Sequence, residues 1–221
     1  MDALDAIRHR RAVRSYTDAP VADEDIDRLL RLTLLAPTGH MAQAWGFVVV
    51  REDPRRSALA DLVLRGGADY FREARPAKEG TSAQEHAAWA QDYAEQVLGT
   101  YREVPVWICG FGVPRFSMDN EVLERIERFS DVTSVSFAFE NLFVAARAMG
   151  LGTAPTIFHL FYEDEYRELL NVPDDVETHY ITPLGHPTQF PEGLPPALAA
   201  SRRPWRSLVH DESWGNTRAE A

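Results

Sequence analysis

Between Asp131 and Met149 the chain places Val132, Val135, Phe139, Leu142, Phe143 and Ala146 at helical spacing, with apolar side chains on nearly every other face as well. A helix that is apolar almost all round belongs in the middle of a protein or at a subunit interface, because no wet surface can take it. Gly150-Leu151-Gly152 ends the segment. Other elements must therefore be laid around it, and 221 residues, 45% of them apolar, are enough for such a core.

The covering elements are legible on either side. A helix is predicted over 23–35 from the stripe Ile26, Leu29, Leu30 and Leu34, with Asp23, Glu24 and Asp25 at the positive end of its dipole and Pro37 beyond its end. The β-branched run Trp45–Val50 predicts a buried strand, and Pro54 opens a helix over 54–65. From Gly66 to Glu103 the chain is more polar, with breaks expected at Gly66-Gly67 and Pro76 before a helical pattern at about 83–101. That stretch reads as a helical lid or an excursion from the core. A strand over 104–113, the central helix over 131–149, a short helix at 164–170 and a strand at 179–184 follow. From Thr188 the proline-rich chain predicts an extended arm over 188–221. No boundary divides the sequence, so one domain over 1–221 is expected.

Lys and Arg number 23 against 34 Asp and Glu, a formal charge of −11 that repels nucleic acid and anionic membranes. Neither is an expected partner. The start Met-Asp-Ala-Leu-Asp has no apolar signal core, and no run of 18 apolar residues occurs, so a soluble cytoplasmic protein is expected. The single cysteine, Cys109, lies in an apolar strand and reads as a core residue. The seven histidines show neither HxxxH nor HxH spacing, so no metal site is expected.

Against this acidic background, seven basic residues crowd into two islands: Arg8, Arg10, Arg11 and Arg14 near the start, and Arg202, Arg203 and Arg206 near the end. Guanidinium forks bind phosphate oxygens bidentately, so converging islands would make a phosphate site. Two separate solvated patches satisfy charge counting equally well.

Six landmarks in order narrow the reading. They are Arg10-Arg11-Ala12-Val13-Arg14, Ala36-Pro37-Thr38-Gly39 leading to Trp45-Gly46-Phe47, Glu140-Asn141-Leu142, Gly150-Leu151-Gly152, Leu184-Gly185-His186-Pro187, and Arg202-Arg203-Pro204-Trp205. This series resembles the FMN-dependent nitroreductase family from about residue 4 to 215. The resemblance implies an α+β fold, a three-layer α/β/α sandwich around a mixed, mostly antiparallel sheet. It also implies a homodimer formed through the central helix, with two FMN sites at the interface and a C-terminal arm reaching the partner subunit. By the same resemblance, Arg10, Arg11, Ala12 and Arg14 form the first flavin-binding segment, and Pro37, Thr38, Gly39 and Met41 are lent by the partner. Pro155, Thr156 and Ile157 bring backbone amides to the flavin ring, and Arg203 with Arg202 reaches the phosphate. No catalytic acid or nucleophile is needed, because flavin N5 carries the chemistry.

Three departures bear on substrate class. Ala12 replaces the usual serine, Glu140 replaces glutamine, and Ala44 replaces the proline before Trp45. A carboxylate beside a flavin disfavours the anionic reduced form unless it is paired or turned away. Glu140 and Asn141 have two readings here: contact with the flavin, or satisfaction of backbone groups at a helix contact. The expected activity is hydride transfer from NADH or NADPH to a small organic acceptor (a nitroaromatic, quinone or activated alkene) by a ping-pong route. Alternatives of the same fold are the oxygen-dependent synthase that fragments FMN into dimethylbenzimidazole and the reductive dehalogenases. An alternative of another class is a non-catalytic flavin-binding protein.

Overall fold

Asp2 caps a short first helix, α1 (Ala3–His9), its carboxylate accepting the Asp5 amide at 2.8 Å. The chain then forms α2 (Asp23–Thr33), β1 (Trp45–Val50), α3 (Arg55–Ala74), α4 (Ala83–Leu98), β2 (Val106–Gly112), α5 (Glu121–Ala148), β3 (Gly152–Thr153), α6 (Glu163–Leu170), β4 (Glu177–Gly185) and α7 (Pro196–Ala200). This computed structural model describes residues 1–115 and 119–218. Residues 1–190 and 191–221 are separate compact units.

In the first unit, four strands form one sheet in the order β1-β2-β4-β3. Every residue of β2 is buried, and successive residues serve opposite cores. Trp107, Cys109 and Phe111 pack with Leu59, Leu62 and Val63 of α3 and Tyr166 of α6. Val106 and Ile108 pack with Ile26 and Leu29 of α2 and Val135, Phe139 and Leu142 of α5. Period-two alternation with both faces covered is what makes a three-layer α/β/α arrangement.

The resemblance implies a mixed, mostly antiparallel sheet, and the pairings among the described residues are all antiparallel. The connection between β1 and β2 shows why. At 1.5 Å per residue, α3 carries the chain out by about 30 Å and α4 brings most of it back. The chain thus re-enters the sheet at the end where it left, and β2 pairs antiparallel with β1, Val50 opposite Trp107.

Two expected boundaries move. Gly66-Gly67 is no break: α3 runs through it to Ala74, with both glycines buried. A Cβ on Gly66 would collide with the Phe158 carbonyl, and one on Gly67 would lie 2.6 Å from Leu98 Cδ1. The glycines are there so that neighbouring chain can approach the helix closely, a constraint that outweighs their poor helix propensity. α5 begins at Glu121, ten residues before the expected start, with Asn120 accepting the Val122 and Leu123 amides at 3.0 and 3.1 Å. Its early turns mix Glu121, Glu124, Arg125, Glu127 and Arg128 with exposed Val122, Leu123, Ile126 and Phe129. Their charges hide them from a search for buried periodicity.

The second unit, taken by itself, holds α7 and a 3-10 turn at Trp205–Leu208, and the His210 ring lies 4.3 Å from that of Trp214. No helix among the described residues is long and apolar enough to cross a membrane.

Candidate functional site

The N-terminal arginines stand on an anchored segment. Beyond α1 the chain runs beside β3 and the end of β4: the Val13 amide donates to the Thr153 carbonyl at 2.9 Å and the Thr17 amide to the His186 carbonyl at 2.8 Å. Val13 and Tyr16 are buried, and Val13 presses so closely on Gly152 that a Cβ there would lie 2.9 Å from its Cγ1. Ala12 packs against the same core, whereas Arg14 and Ser15 are exposed.

The three arginines of this segment have different surroundings. Arg10 Nε lies 3.7 Å from Glu140 Oε1 on α5. Arg11 Nη1 donates to the Arg8 and Arg10 carbonyls at 2.9 and 2.7 Å, and its buried Nε makes no hydrogen bond among the described residues. A buried donor without a partner is costly, about 1–3 kcal/mol, and marks a place where something else can bind. Arg14 has no ion-pair partner among the described residues. Its carbonyl accepts the Thr100 hydroxyl, which joins the end of the α3–α4 excursion to the arginine segment. Burial pushes the Tyr101 phenol up to about 12 and Tyr16 well above its usual value, while the Arg14 charge acts in the opposite direction on both.

The segment at Pro37, Thr38, Gly39 and Met41 is strained. His40, Met41 and Gln43 have φ of 47°, 55° and 50°, the left-handed region that costs a non-glycine residue about 1–2 kcal/mol. Thr38 Oγ1 accepts the Gln43 amide at 3.0 Å, and Gly39 lies flush against Ser130 of α5, where a Cβ would collide with the hydroxyl. Met41 is left 73% exposed. Strain of this kind persists where the surroundings over-determine it, and it collects at ligand-holding segments.

At the third segment, the amides of Pro155, Thr156 and Ile157 are not equivalent. Pro155 has no N–H. Thr156 exchanges both backbone bonds with Ile181, at 2.9 and 3.1 Å, and its hydroxyl accepts the Phe158 amide at 3.3 Å. Ile157 alone keeps an amide with no acceptor among the described residues. It sits on backbone fixed from both sides, and its side chain is exposed. The expectation that all three face a ring with their amides therefore narrows to one donor.

Arg202 and Arg203 lie in the C-terminal unit, where Arg203 Nη2 donates to the Ser207 carbonyl at 3.2 Å. Cys109 is fully buried and its thiol is pushed up to about 12 by burial, so it is inert at neutral pH.

The model of the nitroreductase family matches residues 7–186 of this chain. The chain belongs to the nitroreductase family. Among relatives of this nitroreductase-family protein, the FMN reductase (NADPH) of Bacillus subtilis is 24% identical over 214 residues, 96% of this chain and 74% of that one. The 5,6-dimethylbenzimidazole synthase of Rhodospirillum rubrum is 31% identical over 152 residues, 68% of this chain and 67% of that one. Among solved structures, the BluB-like flavoprotein from Clostridium difficile 630 has a TM-score of 0.72 at 20% identity, covering 96% of this chain and 100% of that one. The fold is accordingly the α+β nitroreductase type.

Sequence reasoning missed two features of the site. Nothing in the local sequence signals that Thr100 reaches Arg14, 86 residues away. The Arg10–Glu140 pair answers the question that Glu140 raises, since its carboxylate is paired with a cation. Asn141 instead donates to the Leu32 carbonyl at 3.4 Å.

Proposed function

We propose that this nitroreductase-family protein is an FMN-dependent oxidoreductase that takes hydride from NADH or NADPH and passes it to a small organic acceptor in a ping-pong sequence. The observation that carries this reading is the free Ile157 amide on a backbone locked by its neighbours. The buried, unpartnered Nε of Arg11 and the uncommitted guanidinium of Arg14 support it, since both suit an anionic group.

Bound FMN supplies the redox chemistry, accepting and releasing hydride at N5. The chain supplies orientation and electrostatics. Ile157 would hold the flavin through its amide, the donor left available for N5. Arg14 would supply a fixed cation that favours the negative charge built up by two-electron reduction. Arg10 and Arg11 would hold the phosphate. Ala12 brings no hydroxyl to this set. Arg10 also neutralises Glu140, so no bare carboxylate opposes the reduced state. Pro37, Thr38, Gly39 and Met41 serve the site of the partner subunit in a homodimer. The exposed apolar residues of α5, Val122, Leu123, Ile126, Phe129, Val132 and Phe137, are the face a second copy covers.

The test is anaerobic mixing of FMN-loaded protein with NADH or NADPH, followed by a nitroaromatic or quinone. Rapid bleaching of the flavin band and its full recovery on adding acceptor are expected. Flavin that neither nucleotide reduces would overturn the reading in favour of a flavin-binding protein without turnover. The identity with a dimethylbenzimidazole synthase favours one second reading, oxygen-dependent FMN fragmentation. Irreversible loss of the flavin band after reduced protein meets air would establish it.

A further inference from the structure

The α3–α4 hairpin has two faces of opposite character. One is a groove of about 900 Å³ that contains Arg65, Arg72 and Arg102. Each of these is held by a carboxylate: Arg65 by Glu165 at 2.6 Å, Arg72 by Asp69 at 2.9 Å, and Arg102 by Asp61 and Glu95 at 2.9 and 2.7 Å. Charges satisfied by one another leave little attraction for a ligand.

The other face is aromatic. His86 stacks on Trp89 at 5.3 Å and 9°, and Trp89 on Tyr93 at 5.6 Å and 18°. Tyr93 meets Phe71 edge-on at 4.8 Å, and Phe71 meets Phe158 at 5.7 Å. Tyr70, 45% exposed, lies 5.3 Å from the same Phe158 ring. Phe158 directly follows Ile157, the residue with the free amide, so this wall of rings begins at the proposed flavin site and runs outward along the hairpin.

Arg75, the first residue past α3, lies over that wall. Its guanidinium carbon is 4.6 Å from the centre of the Tyr93 ring and 6.0 Å from that of Trp89, and its Nη2 donates to the Tyr93 hydroxyl at 3.2 Å. Unlike the three arginines of the groove, it has no carboxylate partner among the described residues. A guanidinium stacked on ring faces is held in plane with N–H groups to spare, the arrangement that grips a carboxylate bidentately. In a chain of net charge −11, an anionic ligand needs such a local cation to offset the repulsion of the whole.

We propose that Arg75, with Tyr93, Trp89 and Tyr70, is an acceptor subsite that takes the carboxylate of an aromatic acid while its ring lies on the aromatic wall. The inference rests on the reductase reading and adds the substrate class: arenes bearing a carboxylate are reduced in preference to their neutral esters.

The test compares para-nitrobenzoate with its methyl ester, using FMN-loaded wild type, Arg75→Gln and Arg75→Lys. In Arg75→Gln the ratio of kcat/KM for acid over ester is expected to fall about ten- to a hundred-fold, mostly through KM, as for loss of a charge-assisted pair. Arg75→Lys, which keeps the charge without the planar fork, is expected to restore part of it. A ratio unchanged within about twofold overturns the proposal. So does a change confined to the NADPH over NADH ratio, which would place the anion on the nucleotide. Titration of oxidised, FMN-loaded protein with para-nitrobenzoate, followed by flavin fluorescence, needs no turnover. Binding there that Arg75→Gln weakens supports the subsite even if nicotinamide fails to reduce the flavin, the result that would sink the reductase reading alone. Absence of such binding overturns the subsite.

Discussion

Arg10 and Glu140 are paired across 3.7 Å, joining the N-terminal arginine segment to the middle of α5. The pair is well exposed on the Glu140 side, so its own stabilisation is small, under about 1 kcal/mol. Its larger consequence is for charge: part of the Arg10 field is already committed to a carboxylate. Glu140→Gln removes that competitor. FMN affinity is expected to rise about two- to five-fold, the effect of a contact worth roughly 0.5–1 kcal/mol, with little change in thermal stability. Fluorescence titration of apoprotein reads this directly, and weaker FMN binding in the variant would show that Glu140 itself holds the cofactor.

Arg14 is exposed and has no ion-pair partner among the described residues. Arg14→Gln keeps a donor and removes the charge, separating electrostatics from positioning. With about 30 mV per 1.4 kcal/mol for a two-electron couple, loss of a partly screened contact lowers the flavin midpoint by about 30–60 mV. Spectroelectrochemical titration at full FMN occupancy is the check. An unmoved midpoint removes Arg14 from the ring's surroundings.

Phosphate recognition is separable from ring recognition because riboflavin lacks the phosphate. Arg10→Ala or Arg11→Ala is expected to weaken FMN about ten- to a hundred-fold while barely affecting riboflavin. Equal losses for both flavins, measured by equilibrium dialysis, would mean that these arginines only support the fold.

His159 gives the protein an acid limit. The ring is fully buried against Tyr166, 4.4 Å away, and neither nitrogen has a well-aligned hydrogen-bond partner among the described residues. Burial pushes its pKa down to about 4, with the His179 backbone acting in the opposite direction. The folded value lies below the unfolded one of about 6.5, so the unfolded chain takes up the proton more readily. This group's effect is therefore absent above about pH 6.5, and stability falls as pH drops toward 4, by about 3 kcal/mol in all. His159→Leu should flatten that slope in urea unfolding series at pH 7, 6 and 5. A slope equal to the wild type's would assign the acid sensitivity to other groups.

Gly66→Ala separates helix propensity from packing. In an isolated helix the change is worth about 1 kcal/mol in favour of alanine. Here the new methyl meets the Phe158 carbonyl, and overpacking of this kind costs about 1–3 kcal/mol or more. A lowered Tm is expected by calorimetry, whereas a raised Tm would mean that the 155–158 segment yields easily.

The sequence by itself determined the strands marked by unbroken apolar runs. Trp45–Val50 is the strand its β-branched run predicts, although only Val50 is buried and the rest are half-buried. The ordered landmarks carried the family, and two of them include glycines, Gly39 and Gly152, that mark close approaches in this chain. Tertiary structure decided the rest, wherever a residue's role depends on a partner distant in sequence. Gly66 and Gly67 look like helix breakers until Phe158 and Leu98 are seen against them. Glu140 looks like a liability to a reduced flavin until Arg10 is found beside it. Thr156 and Ile157 differ only because Ile181 claims one amide and leaves the other. Propensity and periodicity are sums over neighbours in the chain, whereas these choices are made by contacts between segments, which only the folded backbone brings together.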